Sequence, residues 1–518
     1  MKSTIPRKSA AIAGLVAGGL AVTVGMFVAA ITEVVSPIDA VGSEVIDHTP
    51  LWLKEQAIEW FGTDDKLALR IGIVSILAIA AIGVGLLATR RIWLGVAGIA
   101  LFGVVGSAAA AGRPGESIGA AVPSVLGAIA GAAALYRLVQ PRSGEAAADA
   151  APASGWDRRQ FLMAGGATAA GAVVAGGLAK GIEERRVDQI RQSIQTPLPA
   201  IGAPALDAPG SDASAQTQDI PPDAELFDET AFITPNDEFY RIDTALTFPN
   251  VDIDNWSFEI KGMVDTPMKF TYADLLALPQ VERTVTLCCV SNDVGGDLVG
   301  NAVFRGVMLR ELLDKAGVQP GAEQVYSTSL DGWTCGFPVE VAFDGRDAMV
   351  AIGMNGETLP LEHGYPARLV VPGLYGYVSA TKWLAEIKLT SWDDEGYWVP
   401  RGWAALGPVK TQSRIDVPRT RNVPAGKRAI AGVAWAQHRG IEQVEVQIDD
   451  GPWQVATLAA DVSIDTWRQW LLEWEPTPGK YTLRVRATDN TGETQTEEQT
   501  PVAPDGATGY HTIRVTVE

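Results

Sequence analysis

Cysteine is scarce: Cys288, Cys289 and Cys335 are the only three in 518 residues, too few for a disulfide framework. Adjacent cysteines rarely bond to each other, which leaves a Cys288–Cys335 bond for the fold to decide. Positive charge is also short, with 41 basic against 61 acidic residues, a net charge of -20 and no basic stripe. That balance excludes nucleic-acid binding as a default reading. Histidine is limited to His48, His363, His438 and His511, none of them in a long apolar run, and no Cys-x-x-Cys-His occurs. Haem b held by paired membrane histidines and attached c-type haem are therefore both excluded. Apolar residues are not lacking but unevenly distributed, so a mean hydropathy of only +0.11 points to a membrane section followed by soluble domains.

Residues 1–142 read as a four-helix membrane region. Ala10 to Ile31 runs without a charge, and Leu67 to Thr89, Ile92 to Ala111 and Ile118 to Tyr136 follow, each near the length needed to cross a bilayer. A buried soluble helix is the other reading of the last run. Basic residues (Lys2, Arg7, Lys8; Arg90, Arg91; Arg137, Arg142) fall on one side and the acidic stretch Glu33 to Asp65 on the other. The N-terminus and the region after the fourth span are thus expected in the cytoplasm. Residues 143–184 combine an Ala/Pro/Ser/Gly linker, Ser143 to Gly155, with a fifth span. That span opens on Asp157-Arg158-Arg159-Gln160-Phe161-Leu162, which resembles a twin-arginine export signal; an ordinary basic-flanked helix is the plainer reading. With no convincing cleavage site, the span is expected to stay as an anchor and to place everything after Lys180 outside. A flexible tether is expected over 185–224, Pro/Ala/Asp/Gln-rich from Thr196 to Pro222.

Two soluble domains are expected beyond it. Residues 225–410 mix β runs (Trp256 to Gly262, Val325 to Ser329, Arg368 to Val371) with short helical patterns (Tyr272 to Leu278, Leu309 to Gly317), an α+β pattern. Residues 411–518 carry short alternating strands separated by turns at Asp450-Gly451, Pro478-Gly479 and Asn490-Thr491-Gly492, the spacing of an all-β immunoglobulin-like sandwich.

Chemistry concentrates in two stretches. In Thr284 to Gly306 a β run ends at Cys288 and Cys289 and enters an Asn/Asp/Gly loop. Alternation puts one thiol in the core and its neighbour at whatever the loop encloses, a placement that suits a soft metal better than packing. In Gly353 to Leu384 a buried strand is flanked by His363, Arg368 and Lys382, and Tyr375 to Lys382 make a loop rich in backbone donors. Such a loop can cradle phosphate, with Arg368 and Lys382 as matching charge, or be a salt-bridged surface loop.

Together these stretches resemble the sulfite-oxidase family of molybdopterin enzymes. The matching residues are Thr234-Pro235-Asn236, Phe239-Tyr240-Arg241, Leu287-Cys288-Cys289-Val290-Ser291-Asn292, Met354-Asn355-Gly356-Glu357, His363-Gly364-Tyr365-Pro366-Ala367-Arg368, Pro372-Gly373 and Lys382-Trp383. The C-terminal region, with Trp435, Trp467, Asp489 and Gly509-Tyr510, resembles that family's dimerisation domain, and so admits a homodimer. The resemblance implies a Mo-molybdopterin cofactor with Cys289 as sole protein ligand and Cys288 as a packed thiol. It implies pterin contacts from His363 and Arg368, phosphate contacts from Ser379, Ala380, Thr381 and Lys382, and an N-terminal segment (Asn236, Tyr240, Arg241) lying over the cofactor. Thr328 is a further binding candidate. Molybdenum would cycle between its +6 and +4 states in oxygen-atom transfer, with Arg241 and Arg401 stabilising charge on an oxyanion substrate.

Two departures bear on the substrate. Asp293 and Val294 stand where sulfite oxidases carry two arginines, and Ile352 stands at the position of their active-site tyrosine. Replacing a cationic pair by an acid weakens sulfite binding in a desolvated pocket, so a less charged substrate such as a sulfoxide is at least as well matched. With no haem in the chain, electrons pass through a separate cytochrome or quinone-linked partner. The competing reading is a non-catalytic extracytoplasmic binding module that keeps the fold without the metal.

Overall fold

Glycine and alanine decide how the membrane-type helices pack. In the computed structural model, which describes residues 6–50, 53, 56, 60, 65–113, 118–140, 158–194, 198 and 217–518, the chain divides into two units: 1–190 with 244–250, and 191–243 with 251–518. The first holds α1 (Arg7–Thr32), α2 (Pro37–His48), α3 (Asp65–Arg90), α4 (Ile92–Ala111), α5 (Val122–Val139) and α6 (Arg158–Ile194). All but α2 are long and apolar enough to cross a membrane. α1 packs on α3 and α5. A Cβ at Gly14 would lie 2.1 Å from the Ala81 carbonyl, and one at Gly85 would lie 2.1 Å from that of Ala10. Only glycine permits this approach, and backbone contact of that kind supplies the attraction that water cannot supply inside lipid. Outward side chains such as Ile76, Ile79 and Val173 are exposed and apolar.

Two features differ from expectation. α2 falls in the acidic stretch, where no helix is expected. Ser36 caps it, accepting the Asp39 N–H at 3.2 Å, and Pro37 opens it, a pairing that favours helix initiation. Asp39 is then buried and accepts a 3.0 Å bond from Arg70 of α3, which also donates to the Leu246 carbonyl at 2.8 Å. The other difference is α6, which runs past the expected limit at 184 to Ile194. Its polar end keeps helical spacing, with Lys180 and Glu184 paired one turn apart. Residues 185–194 are thus helical rather than a flexible tether. The linker 143–155, Asp157 of the run expected to be a twin-arginine signal and most of the tether lie outside the described residues.

In the second unit the strands are β1 (Ser257–Gly262), β2 (Met268–Thr271), β3 (Val281–Cys288), β4 (Val299–Met308), β5 (Gln324–Ser329), β6 (Thr334–Pro338), β7 (Met349–Met354), β8 (Glu357–Thr358), β9 (Arg368–Val370) and β10 (Leu384–Thr390). One sheet has the order β2-β1-β10-β5-β6; the other runs β3-β4-β7-β8, with β9 also on β7. α7 (Tyr272–Ala277) starts in a capping box between Thr271 and Asp274. α8 (Leu309–Ala316) buries Leu309, Leu312, Leu313 and Ala316, one face of a helix, and ends at the left-handed Gly317. β3 is buried along its second half and pairs with β4 so that Cys288 sits opposite Val299.

The C-terminal strands are β11 (Gln412–Val417), β12 (Asn422–Val423), β13 (Arg428–Trp435), β14 (Ile441–Ile448), β15 (Trp453–Val455), β16 (Thr457–Leu458), β17 (Arg468–Trp474), β18 (Gly479–Asp489) and β19 (His511–Val517). They form two sheets, β11-β13-β17-β16 and β12-β19-β18-β14-β15, packed through Ile430, Val446, Trp470, Leu483 and Val485 as an immunoglobulin-like sandwich. β3 is bolted to it. The Thr286 N–H donates to the Asp465 carbonyl (3.0 Å), and Thr286 Oγ1 accepts from the Trp467 N–H (2.7 Å). The Thr286 carbonyl accepts from Gln437 (2.9 Å).

Candidate functional site

β3 delivers two thiols to one end of its sheet. Cys288, at 2% exposure, is its last residue, and its Sγ points back to the Cys289 carbonyl. Cys289, at 8%, begins the loop. Its N–H donates to the Leu298 carbonyl (2.9 Å) and its carbonyl accepts from Asn292 N–H (3.1 Å), while Asn292 Oδ1 accepts from Leu298 N–H (2.8 Å). Burial pushes the Cys289 thiol above its ordinary pKa; hydrogen bonds from Ser291 and the charge of Lys382 oppose that rise. A thiol binds a metal as the thiolate, the form that Ser291 and Lys382 favour and that burial opposes. All three cysteines are free thiols, which answers the question of a Cys288–Cys335 bond.

Facing the thiols is a cluster with more positive than negative charge. Arg368, on β9, is 4% exposed. It donates to the carbonyls of His363 (3.2 Å) and Leu369 (3.3 Å) and lies over the Phe304 ring. Burial lowers its pKa to about 10, opposed by Tyr240, and among the described residues no carboxylate pairs with it. Lys382 is buried beside it. Its ammonium reaches Asp243 (3.3 Å) and the Glu362 carbonyl (3.2 Å), and burial brings its pKa to about 8. Asp243 also takes Arg241 at 2.9 Å, so one carboxylate serves two cations. A guanidinium buried without a counter-charge is costly. The arrangement fits an anion such as the phosphate of a pterin cofactor, and the Cys289 sulfur lies close enough to feel the Lys382 charge.

The motifs interlock around this cluster. His363 is 4% exposed, and its Nε2–H donates to the Asn236 carbonyl at 2.8 Å. Burial drops its pKa to about 4, so the ring is neutral with its proton on Nε2. Asn236 Oδ1 accepts from Asn355 Nδ2 (2.9 Å), and Asn355 Oδ1 accepts from the Val303 N–H (2.9 Å). The Tyr240 phenol feels both thiols and Arg368, and burial holds it protonated, well above its usual pKa. Ile352 is wholly buried in β7 and brings no phenol; Tyr240 and Tyr375 are the phenols that sense both thiols.

Cys289, Tyr240, Arg241, His363, Arg368, Lys382 and Asn236 are brought together. Other candidates have inward roles. Ser379 donates to the Tyr375 carbonyl (3.0 Å), and the Ala380 N–H caps α9 (Gly376–Ser379). The Thr381 hydroxyl is bonded to Ser327 (2.7 Å) and Cys335 (3.1 Å). Thr328 sits in β5 opposite Glu386 of β10. Arg401 lies over the Tyr397 ring at 3.7 Å and donates to its carbonyl at 2.5 Å. Asp243 is not singled out by the sequence, and Ser291 and Tyr375, whose phenol also senses both thiols, enter it only as members of longer runs with no role of their own. The available signal for Asp243 was an acid two places after a motif arginine.

Thiol, buried cations and neutral imidazole define a site of the molybdopterin-binding oxidoreductase class. The profile of the oxidoreductase molybdopterin binding domain matches residues 245–398. The chain is 35% identical over 156 residues to the uncharacterized oxidoreductase YuiH of Bacillus subtilis, covering 30% of this chain and 76% of that one. It is 29% identical over 274 residues to sulfite oxidase of Arabidopsis thaliana, covering 43% and 69%. Against human mitochondrial sulfite oxidase it is 27% identical over 365 residues, covering 61% and 66%. The chain thus spans about two thirds of the length of these sulfite oxidases. It belongs to the sulfite-oxidase family of molybdopterin-binding oxidoreductases.

Proposed function

We propose that this chain is a membrane-anchored Mo-molybdopterin oxidoreductase that moves an oxygen atom to or from a small substrate, a sulfoxide or a sulfite-like oxyanion, on the outer face of the membrane. The observation that carries the reading is the convergence of Cys289 with the buried, acid-poor pair Arg368 and Lys382. When bound, the cofactor supplies two-electron redox chemistry at the metal. The chain's own residues bind and orient it. Cys289 gives a thiolate as its thiol proton leaves. Arg368 and Lys382 neutralise the pterin's anionic groups. His363, locked on Asn236, presents Nδ1 as an acceptor. Arg241, more exposed than the rest, is placed to meet an oxyanion, and the Tyr240 phenol can hold or donate a proton beside the thiols. Arg401 would be a second oxyanion contact.

Asp293 in place of a cation favours the sulfoxide. Five long apolar helices support anchoring, and the positive-inside pattern supports an outward catalytic domain. Electrons would pass to or from a separate cytochrome or quinone-linked protein. The test is metal analysis of the purified full chain, followed by a screen of sulfite, sulfoxides and N-oxides with artificial electron donors and acceptors. About one molybdenum per chain and turnover of one class are expected. A correctly inserted chain devoid of molybdenum would instead support the non-catalytic binding module.

A further inference from the structure

We infer that His511 and Arg414, two side chains of the C-terminal sandwich, are positioning residues for Cys289, clamping the loop 291–298 that follows it. The inference rests on the reading of Cys289 as a metal ligand and extends it to a part of the chain that holds none of the cofactor motifs.

The loop has little to hold itself. Beyond the bonds of Cys289 and Asn292, it closes with Gly296 N–H to the Asp293 carbonyl (2.8 Å). It contains adjacent glycines, one of them, Gly295, at φ +80°, and glycine backbone is the most expensive to order. External contacts must fix it, and two come from the sandwich. The His511 ring lies against Gly295 so closely that a Cβ there would stand 2.4 Å from Nε2 and 2.3 Å from Cδ2. Arg414 donates to the Gly296 carbonyl at 2.9 Å.

Both side chains are themselves held. His511 Nδ1 accepts the Ile415 N–H at 2.9 Å, so the neutral ring carries its proton on Nε2, the edge facing the loop. Burial keeps the imidazole below its ordinary pKa, opposed by Asp416. Arg414 is paired with Asp416 at 2.6 Å, and Asp416 in turn accepts from Thr230 at 2.9 Å. The Arg414 charge also reaches the Cys288 thiol. Since β19 and β11 belong to different sheets, the Ile415–His511 bond joins the two sheets at the point where they meet the loop. The sandwich thereby carries one wall of the cysteine loop, whatever it does for assembly.

The test uses the full chain in detergent, first without cofactor. Maleimide is pulsed at fixed pH, and labelling of Cys289 and Cys288 is resolved by peptide mass spectrometry. His511→Ala and Arg414→Ala are expected to speed Cys289 labelling by about tenfold, since each frees a loop that opens locally. His511→Asn, whose Oδ1 can take the Ile415 N–H, should fall within about twofold of the native rate. Gly295→Ala probes the same contact from the loop side and should also speed labelling. Val444→Ala, in the sandwich core, lowers stability without touching the loop and should leave the rate unchanged. In cofactor-loaded chain the Mo(V) electron-spin-resonance signature should shift in His511→Ala and not in Val444→Ala. Native labelling rates in His511→Ala and Arg414→Ala, or an equal acceleration in Val444→Ala, overturn the clamp. A loaded native chain that binds no molybdenum removes the functional reading instead, and the labelling result still decides the clamp.

Discussion

Two buried charge clusters in the second unit make opposite use of the same residue types. In the sandwich, Asp489 is fully buried and meets Arg439 (2.8 Å), Thr411 (2.9 Å) and Thr491 (2.6 Å). Burial alone would raise its pKa, but bonds from Thr491, Arg439 and Thr411 bring it down to about 2. Every charge there has its partner inside the chain. At the candidate site Arg368 has carbonyls and the Phe304 ring but, among the described residues, no carboxylate, and Lys382 shares Asp243 with Arg241. The first cluster is balanced by the chain's own groups; the second, on the proposed reading, is balanced by the cofactor. Burial of charge is therefore not the mark of function here; burial of charge with its counter-ion missing is.

The sharpest way to break this contrast is at the thiol. Cys289→Ser should lower turnover by more than about a hundredfold while the melting temperature stays near native; full turnover in a screened substrate would remove Cys289 from its role. Next come substitutions in the two clusters. Asp489→Asn should destabilise the chain by about 2 kcal/mol, because the half-buried Arg439 loses its counter-charge and keeps only the Val409 carbonyl and Thr411. Arg368→Met should leave the cofactor-free chain as stable as native or slightly more so, since the unpaired charge is gone, yet abolish cofactor retention. Calorimetry with and without cofactor compares them, and equal losses in both would erase the distinction.

Acidity separates the clusters more gently. The Asp489 carboxyl has a lowered pKa, so its contribution is present above about 3.8 and is lost as pH falls through about 2. His363 is likewise lowered, from 6.5 to about 4, so stability falls as pH drops across that window, where only the unfolded chain takes up the proton. Lys382 behaves differently. It is charged below about 8 in the free chain, so retention of an anionic cofactor should weaken as pH rises past that value. Cofactor release followed by fluorescence between pH 7 and 10 checks this, and a flat profile would show that Lys382 does not hold the anion. The smallest effect is expected for Arg241→Ala, a few-fold rise in KM for an oxyanion with little change in kcat.

Much of this was readable along the chain, and the reasons differ by region. Apolar runs near membrane length mark helices because lipid enforces internal hydrogen bonding, and α1, α3, α4 and α5 fall where those runs lie. Alternation in Tyr481 to Asp489 marks a strand because a half-buried sheet has period two, whereas Ala429 to Trp435 is buried along nearly its whole length. α2 was not legible, since its stability comes from the Ser36 cap and from burial of Asp39 against Arg70. Nor were the inward hydroxyls of Ser379 and Thr381, which depend on where β5 and β6 bring Ser327 and Cys335.

Order along the chain settles which thiol follows the strand, which motifs carry cations and how few acids accompany them. Spacing and residue chemistry are local properties and survive without a fold. Proximity is not. That Asp243 answers both Arg241 and Lys382, that no acid among the described residues pairs with Arg368, and that His511 and Arg414 press on the loop beside Cys289 arise only when distant segments pack. Charge balance and loop order are sums over everything within a few ångströms, and it is packing that chooses those neighbours.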